Sequence, residues 1–247
     1  MTRRTLVLAA ILFFAMAWLG YRQWTNRVVH VPAWHPVEGF IREIPEAVRL
    51  RHEYHLHWIR KGPLDMVFFG DSIARGWEDY EDLWEKHFGS RRCGLFATSH
   101  DTTSNLLWRL DHGELDGYTP RLVVVLIGTN NRKDTVQTAE EIAKGIETIL
   151  ARIRSQQPQA RVLLLGILPQ GYSPRDPGRD LFRRVNQIVE TLSDGKTVFY
   201  RDYGPALLEP DGRLSPEISP DGTHLTRKGY ERWAEAMEPD LKQLFGN

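Results

Sequence analysis

Three short stretches hold side chains suited to nucleophilic catalysis: Gly70-Asp71-Ser72 in VFFGDSIARGW, Gly128-Thr129-Asn130-Asn131, and Asp221-Gly222-Thr223-His224. A serine hydroxyl attacks a carbonyl well only when a base takes its proton. A histidine held by a carboxylate is such a base, and Asp221 and His224 are close enough in sequence for one short turn to present both. Acyl transfer also needs N–H donors for the oxyanion that develops on the substrate. Asn130 offers a side-chain N–H, and the backbones at Ser72 and in the turn at 97–101 offer others. Taken alone, Ser72 also suits the start of a helix, Asn130 a turn and His224 an ordinary loop.

The elements around these stretches decide whether they meet. Apolar segments at 64–69, 93–97, 122–127, 162–167 and 197–201 read as strands. Three of them, LDMVFF, LVVVLI and VLLLGI, are apolar throughout, as strands covered on both faces must be. Between them run amphipathic helices, one with Ile142, Ile146, Ile149, Leu150 and Ile153 on one stripe, another with Leu181, Val185, Ile188, Val189 and Leu192. Tyr230, Trp233, Ala234, Met237, Leu241 and Leu244 mark a last one. This alternation predicts an α/β fold, a five-stranded parallel sheet with helices on both faces. Ligands of such sheets bind beyond the carboxyl ends of the strands. The GDS stretch ends the first strand, residues 97–103 follow the second, GTNN ends the third, and DGTH follows the long loop 203–223. Pocket walls are expected from loops 97–104, 131–136 and 169–179.

Acidic and basic residues balance at 32 each, which argues against a nucleic-acid binder. The single cysteine, Cys93, allows neither an internal disulfide nor a cysteine zinc site and reads as a small buried hydrophobe. MTRR followed by the uncharged run 5–20 and an Ala15-Met16-Ala17 site reads residues 1–24 as a signal peptide or a membrane anchor. Either places the domain outside the cytoplasm, secreted, periplasmic or tethered to a membrane. Residues 25–44 read as a linker or arm, and 45–247 as the domain.

GDSI, GTNN and DGTH, in this order, resemble the SGNH (GDSL-type) hydrolases. HDTTSNLLWRLDHGELDGYTPRLVVVLIGTNN is similar to the branch containing the platelet-activating factor acetylhydrolase catalytic subunits. The resemblance implies a flavodoxin-like three-layer α/β/α sandwich and hydrolysis of a small acyl ester, acetyl-like, of a carbohydrate or lipid. It implies Ser72 as nucleophile, His224 as base and Asp221 as its partner. The implied oxyanion donors are Ser72, Asn130 and the residue at position 100. No cofactor or metal is implied. One motif departs from the family. Relatives carry a glycine-rich turn, G-x-G-G-D, where this chain has Ala97-Thr98-Ser99-His100-Asp101. A histidine in place of the donor glycine meets a strained backbone and crowds the ligand. An impaired, binding-only relative and an acyltransferase using the same triad are therefore the alternatives to an esterase.

The remaining polar residues read as structural. Asp71 and Asn131 fit turn hydrogen bonds, and Asp101 fits the cap of the helix carrying Leu106, Leu107 and Leu110. His52, His55 and His57 fit a solvated or half-buried helix face, with no carboxylate to complete a metal set. Trp77, Trp84 and Trp108 fit core or pocket wall, and Arg175 and Arg179 a solvated loop.

Overall fold

The computed structural model describes residues 31–38, 45–134 and 137–245. The stretch read as signal or anchor lies outside them. The chain runs α1 (Pro45–Ile59), β1 (Met66–Gly70), α2 (Ser72–Arg75), α3 (Glu81–Phe88) and β2 (Cys93–Ala97). It continues through α4 (Thr103–Arg109), β3 (Leu122–Leu126), α5 (Asn131–Asp134), α6 (Ala139–Gln156) and β4 (Arg161–Leu165). The last elements are α7 (Pro177–Glu190), β5 (Val198–Arg201), α8 (Gly204–Leu207) and α9 (Arg227–Phe245). All five strands pair in parallel, in the order β2-β1-β3-β4-β5.

Alternate strand residues feed two cores. Val67, Phe69, Val123, Val125, Val162 and Leu164 face α4, α6 and α7. Met66, Phe68, Val124, Leu126 and Leu163 face α3, α9 and the fully buried Trp77. The continuous apolar runs thus mark strands with a helical layer on each side. Helix starts follow local chemistry. Thr138 and Glu141 close a capping box on α6, and Asp176 accepts from the Gly178 N–H just ahead of α7.

Of the arm at 25–44, residues 31–38 are described, and they lie against the start of α4. Thr103 Oγ1 donates to Ala33 O at 2.7 Å, Ser104 Oγ to Pro32 O at 3.1 Å and Asn105 Nδ2 to Val37 O at 3.1 Å.

β1 and β3 are neighbours, and the connections leaving their carboxyl ends run to opposite sides, from β1 toward β2 and from β3 toward β4. A parallel sheet opens a crevice at such a switch point. Gly70 ends β1 there, and a Cβ on it would lie 2.5 Å from Ala74 Cβ and 2.7 Å from Leu126 O. Glycine is what lets the next helix turn start hard against β3. Gly70→Ala is therefore expected to lower stability by about 1–3 kcal/mol through overpacking, read as a fall in the thermal unfolding midpoint.

Candidate active site

Asp71 leaves β1 in an extended conformation and caps α2, its Oδ1 accepting from the Ile73 N–H at 2.9 Å. Burial pushes its carboxyl up to about 6, against the pull of that N–H and of nearby His224. Ser72 is the first residue of α2, in the turn whose N–H groups a helix leaves without internal acceptors.

Ser72 Oγ lies 2.9 Å from His224 Nε2, and His224 Nδ1 lies 2.7 Å from Asp221 Oδ2. A carboxylate only accepts, so Nδ1 carries the hydrogen and Nε2 presents its lone pair to the serine hydroxyl. The other oxygen, Asp221 Oδ1, accepts the backbone N–H groups of Thr223 and His224 at 2.9 and 2.7 Å. Partial burial opposes ionisation of Asp221, but the imidazole and these backbone donors hold the carboxyl below its ordinary range. The sequence-expected trio is brought together across 152 positions of chain.

The loop carrying Asp221 and His224 is splinted by the loop after β4. Gly171 N–H donates to Gly222 O at 2.7 Å, Gln170 Nε2 to Thr223 Oγ1 at 2.9 Å and Tyr172 OH to Pro220 O at 2.5 Å. Arg179, expected on a solvated loop, instead donates from Nε to Gln170 O at 2.8 Å and from Nη2 to Gly171 O at 2.9 Å. Two backbone carbonyls of the splint are thereby satisfied by one guanidinium.

Asn130 is nearly buried beyond β3, and its Nδ2 donates to Asp101 O at 3.0 Å. That bond uses one of the two amide hydrogens and fixes the plane of the other. Gly128 before it takes φ +124°, the tight turn read from the sequence. Asn131 is structural, accepting the Thr103 N–H at 3.1 Å and donating to Gln137. His100 takes φ +62°, so the turn keeps a left-handed conformation without its glycine. A side chain held so costs about 1–2 kcal/mol. The turn is gripped by Arg51, whose Nε and Nη2 donate to Ala97 O at 3.1 and 2.9 Å.

Four further expectations need correction. Thr102, not Asp101, occupies the N-cap of α4, and Asn105 Oδ1 accepts its N–H at 3.0 Å. Asp101 is buried instead and bonds Arg109 Nε at 2.8 Å. His52 and His55 do not face solvent; both are buried against the carboxylate of Glu114, which the sequence reading missed. The cavity beside the nucleophile, about 210 Å³, is walled by Arg75, Glu78, Asp79, Ser99, Leu225 and Tyr230, so among the described residues only 97–104 of the three expected loops contributes to it. Cys93 is half-buried rather than buried. Among the described residues no group of metal-ligating side chains is assembled.

A cleft of about 720 Å³ lined by Leu56, Pro63, Asp65, Tyr118 and Thr119 lies at the opposite, amino-terminal end of the strands. It holds no serine–histidine pair, and the serine cavity is where the reactive groups converge. Comparison with known proteins gives the family. The model of the GDSL-like lipase/acylhydrolase family matches residues 68–232. The chain belongs to this family. It is 36% identical to platelet-activating factor acetylhydrolase IB subunit alpha2 of Rattus norvegicus over 182 residues, 73% of this chain and 77% of that one. A GDSL-like lipase from Bacteroides thetaiotaomicron superposes with a TM-score of 0.64 at 18% identity, covering 78% of this chain and 97% of that one. A carbohydrate acetylesterase family member from Sinorhizobium meliloti gives 0.58 at 20% identity, covering 74% and 100%. The five-stranded parallel sheet with helices on both faces is the GDSL-type fold, and the chain is a hydrolase of esters.

Two outcomes are expected from this geometry. Asp71→Asn keeps the cap but removes a buried carboxyl. Because the folded state holds the Asp71 proton more tightly than the unfolded chain does, the wild type loses stability as pH rises from about 4 through about 6. The variant should therefore match wild type at about pH 4 and exceed it by about 2–3 kcal/mol at about pH 8, measured by denaturant titration at both pH values. His100→Gly should fold at least as stably as wild type, since glycine takes φ > 0 freely. A lower unfolding midpoint would show that the His100 side chain contributes packing worth more than its strain.

Proposed function

We propose that the chain is a serine esterase that removes a small, acetyl-sized acyl group from a polar alcohol by way of an acyl-enzyme on Ser72. The observation that carries it is the unbroken hydrogen-bonded series from Ser72 Oγ through His224 to Asp221. In this reading His224 Nε2 takes the hydroxyl proton as Oγ attacks the carbonyl carbon. Asp221 holds the imidazole in its Nδ1–H tautomer and stabilises the imidazolium. The oxyanion is met by the Ser72 N–H, the backbone at His100 and the second Nδ2–H of Asn130. His224 then returns the proton to the leaving alcohol, and water, activated by the same nitrogen, releases the acyl group.

The small volume supports a short acyl group, because pockets for drug-sized ligands run from about 300 to 1,000 Å³. The polar lining of Arg75, Glu78, Asp79 and Ser99 supports a hydroxylated alcohol such as a carbohydrate. The kinship to proteins named for platelet-activating factor acetylhydrolase favours a lipid alcohol as the second reading. The left-handed backbone at His100 supports catalysis over a silent binding protein, because the turn conformation survives the loss of glycine. Residues 1–24 read as an export signal or anchor, so the proposed setting is outside the cytoplasm.

The test is p-nitrophenyl acetate hydrolysis by the full chain and by Ser72→Ala, with a fluorophosphonate to trap the serine. Turnover and trapping are expected in the wild type alone, with the variant unfolding at the same temperature. Background rates and no adduct in the wild type would refute the esterase reading. Acetylated oligosaccharide against a short-acyl phospholipid then separates the two alcohols. Activity should fall toward acid pH, because a proton on Nε2 removes the acceptor for the serine hydrogen; a rate that does not fall on acidification of folded enzyme would exclude His224 as base.

A further inference from the structure

Behind the turn at 97–101 lies a group of buried ionisable side chains that the triad chemistry does not use. Asp101, Arg109 and Glu114 are at most 2% exposed, His55 is fully buried and His52 is 6% exposed. Arg109 reaches both ends of the turn. Its Nε donates to Asp101 Oδ2 at 2.8 Å, and its Nη1 donates to Phe96 O at 3.2 Å and to Glu114 Oε2. Asp101 in turn presents its carbonyl to Asn130 Nδ2 at 3.0 Å. One guanidinium thus ties the end of strand β2 to the residue that follows His100, whose carbonyl orients the Asn130 amide.

Glu114 is held from several sides. Its Oε1 faces Nδ1 of His52 at 2.9 Å and Nδ1 of His55 at 2.8 Å. His52 Nε2 faces the His112 carbonyl at 3.1 Å, and its ring lies edge-on to Trp108, with centroids 5.1 Å apart. The ring of His52 thus bridges Glu114 to the backbone of residue 112. Burial opposes ionisation of Glu114, but Arg109 and the two imidazoles outweigh it and hold its carboxyl far below the ordinary carboxylate range. Burial lowers the proton affinity of His55. Burial also pushes the Asp101 carboxyl up to about 7, against the pull of Arg109.

We propose that Arg109, Glu114 and His52 are positioning residues for the oxyanion hole, clamping residues 96 and 101 so that the His100 backbone and the Asn130 amide are set for the oxyanion. The clamp supplies what the missing glycines would otherwise allow. A left-handed histidine persists only where its surroundings over-determine it, and Arg109 fixes the chain on both sides of it. This inference rests on the reading of Asn130 and His100 as oxyanion donors.

The test compares wild type with His52→Gln, which loses the ring bridging Glu114 to residue 112, and Arg109→Lys, which keeps the charge but loses the fork. Rates are expressed per serine titrated by fluorophosphonate, so that unfolded protein is not counted. The expectation is a fall in kcat on the order of 10²-fold with KM nearly unchanged, because a displaced oxyanion donor is missed only in the transition state. An unchanged kcat per titrated site with a lower unfolding midpoint would reduce the cluster to packing and overturn the proposal. Should Arg109→Lys not fold, His52→Gln decides. A wild type that neither turns over ester nor traps the phosphonate fails earlier, at the esterase reading; a wild type that does both, beside variants that trap it with unchanged kcat, fails at the clamp alone.

Discussion

The molecule depends on how closely β1, α2 and β3 approach at Gly70. With no Cβ between Ala74 and the Leu126 carbonyl, the chain passes from a fully buried strand to a helix start within two residues. That short passage puts Ser72 at the switch point of the sheet, where the neighbouring connections part and leave a crevice. Both faces of the sheet are sealed by apolar helices. Polar chemistry is therefore confined to the strand ends, and the reactive side chains gather at the carboxyl ends.

Three supports hold this gathering in register, and each uses backbone carbonyls as anchors. Arg51 grips Ala97 O, Arg109 grips Phe96 O, and Arg179 grips the carbonyls of Gln170 and Gly171. A guanidinium offers five donors in a rigid plane, so it can satisfy several loop carbonyls at once where a lysine would satisfy one. The loops at the rim carry little regular structure, and these three arginines do for them what ladders do for the strands.

The electrostatic character of the two halves of the site differs. Asp221 and His224 are about half exposed, so their interaction is shared with water and rests on geometry. Asp101, Arg109 and Glu114 are sealed from solvent, where charges must close among themselves. The exposed half exchanges protons with substrate and water; the buried half holds the shape of the turn.

The sequence alone determined the strands, the layer order of the fold and the trio Ser72, Asp221 and His224. Short continuous apolar runs alternating with amphipathic helices are strands covered on both sides, and Asp221 and His224 are neighbours in a short turn. Positions of local origin were legible for the same reason: the Asp71 cap and the Gly128 turn involve residues two or three apart. Only the tertiary structure decided the role of Asp101, because Asp101 and Thr102 are both good caps, and Arg109 packing under the turn selects between them. It alone brought Glu114 to His52 and His55, across about 60 positions. Contacts between elements leave no spacing signal, since they arise from helices settling on a sheet rather than from the chain's own period. The conformation of His100 belongs to this second group. A histidine has no reason of its own to be left-handed, and the grip on both sides of it supplies one.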